Sequence, residues 1–373
     1  MESFGIGRME RKQPESELLK NAREIELNGY LHHAALHDPG GEDPKQYHIS
    51  EHPHAVAERA ERIADIFNLP EEDRAIVRMA IAWHDTVMEY DAADPGNVAS
   101  RIRRHRGARE GDTPSGSEGN EAQSARLLKK EMEDANQLAG HEIFSERQIS
   151  TAVWAVDATY PDVHIGSFRD YPFFGQALLH NPALTACFSE LERGDISQRP
   201  LFFQPHLEQP LERGKKVPRE VLIVALADLD QCGMGSSLEF SIEGDREMRE
   251  LYANLQNPLV LKRIIDGTAE QDKFDRSKVK EECLAWLKSQ AGFAAWQALR
   301  FEKIFYLLKE QHDLSDDEER ALRQQFNHFV DNVRASSERA SQLQALYDTS
   351  FRVAGEGQAV ADLLKTMGYP VES

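Results

Sequence analysis

Cysteine is scarce in this chain: three residues in 373, Cys187, Cys232 and Cys283, with no CxxC spacing among them. That rules out a disulfide framework or a cysteine-built zinc site as the organising feature. Long apolar runs are missing as well. No stretch reaches the ~18 residues of a membrane-spanning helix, and Met1 to Arg11 carries charges where a secretory signal needs an apolar core. A cytoplasmic protein without membrane contact is expected. Basic charge is in deficit, 44 Lys and Arg against 64 Asp and Glu, for a net charge of −20. The long-range field therefore repels polyanions, and general nucleic-acid binding is not expected. Neither an internal repeat nor the alternation of a parallel sheet is present.

What the chain does have is helix-period hydrophobicity in many of its segments. Hydrophobic residues make up 40% and charged residues 29%, enough apolar surface for a substantial core. The run Ala75-Ile76-Val77-Arg78-Met79-Ala80 carries apolar residues at helical spacing and leads into Ile81-Ala82-Trp83-His84-Asp85. A helix ending this way delivers an imidazole and a carboxylate to the interior, where a charge is costly unless it is paired or binds a metal. A nitrogen and an oxygen donor side by side suit a divalent transition ion.

Upstream, a helix over Glu15 to about Ala35 has Leu18, Leu19, Ala22, Ile25 and Leu27 as apolar positions, and His32, His33 and His37 are expected on the surface near its end. The breaks Asp38-Pro39-Gly40-Gly41 and Asp43-Pro44 follow. In the next helix, which runs to about Phe67, periodicity separates three histidines. Steps of three and four from His52 fall on Val56, Ala60, Ile63, Ala64 and Phe67, so His52 starts the buried face. The same steps from His54 fall on Glu58, Glu61, Arg62 and Asp65, a solvated face. His48 precedes the helix start, because Pro53 is best tolerated in a first turn. Glu89 lies four residues past Asp85, one helical turn if the helix continues, within reach of a water on a bound metal.

Residues 91–119 are rich in Gly and Pro and read as a long loop holding the basic island Arg101-Ile102-Arg103-Arg104-His105-Arg106. In an otherwise acidic chain, Arg101, Arg103 and Arg104 are candidates for closing over a phosphorylated substrate. Helices are expected from Asn120 to about Gln137 and from Ser145 to Ala158. Residues 168–218 read as irregular connection with one or two short helices. Val221 to Asp230 is the most apolar segment, read as a buried helix, and Asp228 at the end of that run needs a partner such as a metal. From about Asp245 the chain is strongly helical, with long amphipathic segments over Lys278–Leu307 and Ser315 to about Leu346, the latter opened by a Ser315-Asp316-Asp317-Glu318 capping box.

Four motifs in chain order carry a resemblance: Tyr47-His48-x-x-x-His52, Trp83-His84-Asp85-x-x-x-x-Tyr90, Asn120-Glu121-x-x-Ser124-Ala125 and Ala227-Asp228-Leu229-x-x-x-Gly233. They resemble the HD superfamily of metal-dependent phosphohydrolases, and within it a bacterial family of predicted HD phosphohydrolases, over residues 45 to 235. Pro53, the basic insertion and Leu226 depart from that family's pattern. The resemblance implies an all-α fold: an HD-domain helical bundle over 45–236 with the insertion at 91–119, preceded by a helix and linker over 1–44 and followed by a helical region over 237–373. It also implies one divalent metal ion, Mn, Mg, Fe, Co, Ni or Zn, held by His52, His84, Asp85 and Asp228. Glu89 would then position or activate water, His48 would protonate a leaving group, and Glu121 would orient a metal water or substrate.

The expected partner is a small phosphorylated molecule, foremost a nucleotide, with the C-terminal helices offering a surface for homo-oligomer contact. Two other readings are a regulatory module that keeps the metal without turnover and an HD-type di-iron oxygenase. The oxygenase needs two more histidine ligands, for which His105, His141, His164 and His180 are available.

Overall fold

The computed structural model describes residues 16–88, 90–92, 101–103, 119–160, 162–171, 173–193, 199–203, 206–207, 215–233, 236–268, 276–325 and 328–371. The chain is all-α, as its periodicity predicts. Among the described residues the only β structure is two short antiparallel pairs, β1 (Tyr90–Ala92) with β2 (Arg101–Arg103) and β3 (Asp162–Gly166) with β4 (Arg199–Phe203). The first pair corrects the expectation of a loop throughout 91–119, since Arg101 and Arg103 lie in a strand paired in register with Ala92 and Tyr90. His164, among the histidines available to an oxygenase, falls in β3.

The helices that build the site come first. α1 (Glu17–His37) starts at Ser16, whose side chain accepts from the Leu19 N–H. α2 (Glu51–Ile66) and α3 (Glu71–Trp83) follow, then α4 (Asn120–Ala139) and α5 (Glu146–Asp157), the last opened by a reciprocal Ser145–Gln148 capping box. α6 (Phe174–His180) and α7 (Ala183–Arg193) lie in the connection to α8 (Arg219–Gly233). In α8 every residue from Val221 to Leu229 is buried, so this helix is apolar all round and runs through the core.

α9 (Ser237–Leu251), α10 (Pro258–Asp266), α11 (Arg276–His312), α12 (Asp316–Gln325), α13 (His328–Ala354) and α14 (Glu356–Thr366) complete the chain. Ser315 and Glu318 form the expected capping box ahead of α12. No described helix is long and apolar enough to cross a membrane.

Two hydrophobic cores result. The larger joins α1–α5 and α8 to the C-terminal half of α11 and the start of α13, and so runs across residue 237. The smaller gathers Met248, Leu261, Ile264, Val279, Cys283, Leu287, Leu343, Val360 and Leu364 from α9, α10, α11, α13 and α14. Cys283, Leu284 and Leu287 are core residues, and Trp286 packs half-buried against them. α11 spans both cores because its 37 residues reach about 55 Å at the α-helical rise.

Candidate metal centre

α1 and α3 approach closely at one position. A side chain at Gly29 would meet the Trp83 ring at 2.8 Å and the Ala82 carbonyl at 2.9 Å, so only glycine lets the two backbones pack this way. Trp83 Nε1 donates to the Ile25 carbonyl at 2.9 Å one turn earlier. One and two turns after Gly29, on the same helix face, stand His33 and His37, both buried; only His32 of the three is exposed. The expectation that all three lie at the surface is therefore corrected, and so is the placing of Leu27 on the apolar face, since Leu27 is exposed. The face that packs is Ala22, Ile25, Gly29, His33 and His37, too poor in apolar residues to register as a stripe.

Asp38, just past α1, accepts from Ser50 through both its N–H (2.7 Å) and its hydroxyl (2.8 Å), which ties the end of α1 to the start of α2. His52 lies in the first turn of α2 and is buried, whereas His54 is exposed, as the stripe predicts. α3 ends at Trp83, and His84 and Asp85 form the turn beyond it. The helix does not continue toward Glu89: the Val87 N–H donates to Ser124 Oγ at 3.0 Å instead of to a carbonyl four residues back. Glu89 itself lies outside the described residues. Ser124 belongs to the Asn120-Glu121-x-x-Ser124 motif at the start of α4, where Asn120, Glu121 and Ser124 are all buried.

His52 Nε2, His84 Nε2 and Asp85 Oδ2 converge. The separations are 3.1 Å from His52 to Asp85, 3.2 Å from His84 to Asp85 and 3.3 Å between the two imidazoles. All three residues are buried, and they are the one group among the described residues able to hold a metal ion. The spacing fits a cation: bonds of about 2.1 Å place neighbouring donors about 3.0 Å apart in an octahedron and about 3.4 Å in a tetrahedron. His84 has the support expected of a ligand, because its Nδ1 faces the Ile81 carbonyl at 2.7 Å. A carbonyl only accepts, so Nδ1 carries the proton and Nε2 turns toward Asp85.

Electrostatics agree with the geometry. Burial pulls the His84 pKa down, but Asp85, by charge and hydrogen bond, together with Asp228 and the Ile81 carbonyl, outweighs it and raises His84 to about 9. Without a metal, a proton therefore occupies the place of a cation. Asp228, buried on α8, is close enough to His84 to act on its charge but stands outside the convergent triad.

His48 lies at the rim. Its Nε2 is 4.0 Å from Asp85 Oδ2, and its Nδ1 is 2.6 Å from Glu250 Oε1. Glu250, on α9, is a residue that local sequence patterns did not single out. Its Oε2 also accepts the backbone N–H groups of Gln46, Tyr47 and His48 at 3.0, 2.8 and 3.1 Å. One buried carboxylate from the C-terminal third thus fixes both the loop and the ring orientation of His48.

The remaining candidates do not join the group. His141 is exposed and pairs with Glu17 at 3.1 Å, and His180 is exposed. His105, Arg104 and the side chains of Arg101, Arg103 and His164 lie outside the described residues; the β2 strand carrying Arg101 and Arg103 packs along α9. No protein-family model, no curated protein and no solved structure matches this chain. What stands is an all-α chain with a buried two-imidazole, one-carboxylate centre able to hold a metal ion.

Proposed function

We propose that this chain is a metal-dependent phosphohydrolase of the HD type, cleaving a phosphoester or pyrophosphate bond of a nucleotide or related small phosphorylated molecule. The observation that carries the reading is the mutual 3.1–3.3 Å spacing of the buried His52, His84 and Asp85, with Asp228 acting on His84 from a third helix. A divalent cation bound there would polarise a phosphoryl oxygen and acidify water near neutral pH. The chain's own residues supply the rest. His52, His84 and Asp85 would hold the cation, and Asp228 would complete the set. His48, anchored through Nδ1 by the Glu250 carboxylate, presents Nε2 toward Asp85 and would give a proton to a leaving oxygen. Glu121 and Glu89 are assigned to substrate and water orientation by motif position, and Arg101, Arg103 and Arg104 to substrate binding by their positive charge in an acidic chain.

The donor set of two nitrogens and one or two oxygens accepts manganese, iron, cobalt, nickel or zinc, and magnesium less well. Two further readings predict different outcomes of one experiment, a manganese-supplemented screen of nucleotides for released phosphate or pyrophosphate. Turnover that disappears in Asp85→Ala supports the phosphohydrolase. A bound metal with no turnover of any phosphate ester favours a regulatory module, and two irons per chain would favour an oxygenase.

A further inference from the structure

His33 is 0% exposed, and neither of its ring nitrogens has a hydrogen-bond partner among the described residues. Its ring meets His37 edge-on at 4.9 Å between centroids. Gly29, one turn earlier, packs against Trp83, and His37 faces the carbonyl of Thr86, the residue after Asp85, so His33 lies beside the candidate metal centre, in reach of the charges of Asp85, His52 and His84. It is not one of the three residues whose donor atoms converge within 4.8 Å, so it stands next to the ring of ligands rather than in it. His37 differs: its Nδ1 and Nε2 face the Asp43 and Thr86 carbonyls at 3.3 and 3.1 Å.

A second polar group nearby is in the same condition. Thr86, directly after Asp85, is fully buried and its Oγ1 has no partner among the described residues. Each buried donor or acceptor left without a partner costs about 1–3 kcal/mol, so such groups persist where something else completes them. A purely structural role is hard to reconcile with this, because a phenyl ring would fill the place of His33 without that cost. Burial holds His33 far below the usual imidazole range, so the ring is neutral and has one N–H to donate.

We infer that His33 is a substrate-binding residue, which donates a hydrogen bond to an oxygen of the phosphoryl group bound at the His52–His84–Asp85 centre. The inference rests on the proposed metal-dependent phosphohydrolase reading and adds to it a recognition contact from α1, outside the four motifs. Inorganic phosphate is the minimal probe. Calorimetric titration of phosphate into the full-length protein loaded with one equivalent of manganese should give an affinity that falls about tenfold in His33→Phe, the loss of one hydrogen bond to a charged acceptor. The Gln variant, which keeps an N–H donor, should recover part of that loss. Manganese affinity should change less than about twofold in both variants, and the thermal midpoint of His33→Phe should be equal to or above that of the wild type.

Unchanged phosphate affinity in a manganese-loaded His33→Phe protein would overturn the inference and leave the metal centre standing. A tenfold fall in manganese affinity would overturn it too, by making His33 a ligand. A wild-type protein that takes up no manganese would instead remove the underlying metal reading, and this inference with it.

Discussion

Asp245 on α9 and Asp85 beyond α3 are both buried carboxylates, and they keep different company. Asp245 meets Arg339 in a two-pronged pair, Oδ1 to Nη1 at 3.0 Å and Oδ2 to Nη2 at 2.6 Å. Burial raises its pKa while Arg339 lowers it, so donor and acceptor are matched and nothing further is required. Asp85 is crowded by the Nε2 atoms of His52 and His84 at one oxygen, with His48 at 4.0 Å. A closed ion pair holds two helices together. Imidazoles gathered round a carboxylate, alongside His33 and Thr86 whose side chains lack partners among the described residues, form a set that a cation and an anionic ligand would complete.

The sharpest way to break this contrast is to remove each carboxylate in turn. Asp85→Ala should lower affinity for a divalent ion by about two orders of magnitude or more while the helical fold persists, because a ligand is lost and an apolar side chain tolerates burial. Equilibrium dialysis with manganese measures this, and an Asp85→Ala protein that binds metal like the wild type would show the two sites to be alike. Asp245→Ala should do the reverse, lowering unfolding stability by about 3 kcal/mol since Arg339 loses its partner, with metal uptake unchanged. Denaturant unfolding followed by helical circular dichroism supplies that number.

Glu250 tests the comparison from another side, being a buried carboxylate of the C-terminal helices that serves the metal centre. On the proposed role of His48, Glu250→Gln should reduce kcat by about 10- to 100-fold with bound metal unchanged, the size usual for a residue that orients a catalytic group. If it altered only stability, Glu250 would belong with Asp245.

The pH dependence is the finest distinction. In the metal-free protein His84 titrates at about 9 in the folded state, above its ordinary 6.5. The stability it contributes is therefore complete below pH 6.5 and is lost as pH rises from 6.5 through 9. A cation needs the neutral ring, so metal uptake at pH 7 should expel about one proton and apparent affinity should climb until pH is near 9. Calorimetry in buffers of different ionisation enthalpy counts that proton; uptake without release would separate His84 from the metal.

How far the sequence discloses all this depends on the range of each interaction. His52 is distinguishable from His54 because an apolar stripe of its own helix buries it. The burial of α8, and of Asp228 near the end of its apolar run, is equally legible from Val221 to Leu229. The packed face of α1 is not, since Gly29, His33 and His37 occupy positions where apolar residues would have signalled burial; the clue was the unbroken 4-residue spacing of small and histidine side chains after Ile25. The end of α3 beside His84-Asp85 is legible to within two residues, but what stops the helix is not, because no proline or glycine follows and the Val87 N–H turns to Ser124 on another helix. Glu250 was hidden by distance: it lies 202 residues from His48 and follows Glu239, Glu243 and Glu247 along one helix, a pattern that reads as solvated.

The most direct measurement is elemental analysis of the purified full-length protein beside its His52→Ala variant, with helical content and thermal midpoint recorded for both. About one divalent ion per chain in the wild type, lost from a variant that remains folded, is the predicted result. A wild-type protein that carries and takes up no metal, or a His52→Ala variant that retains it in full, would contradict the metal centre on which the account stands.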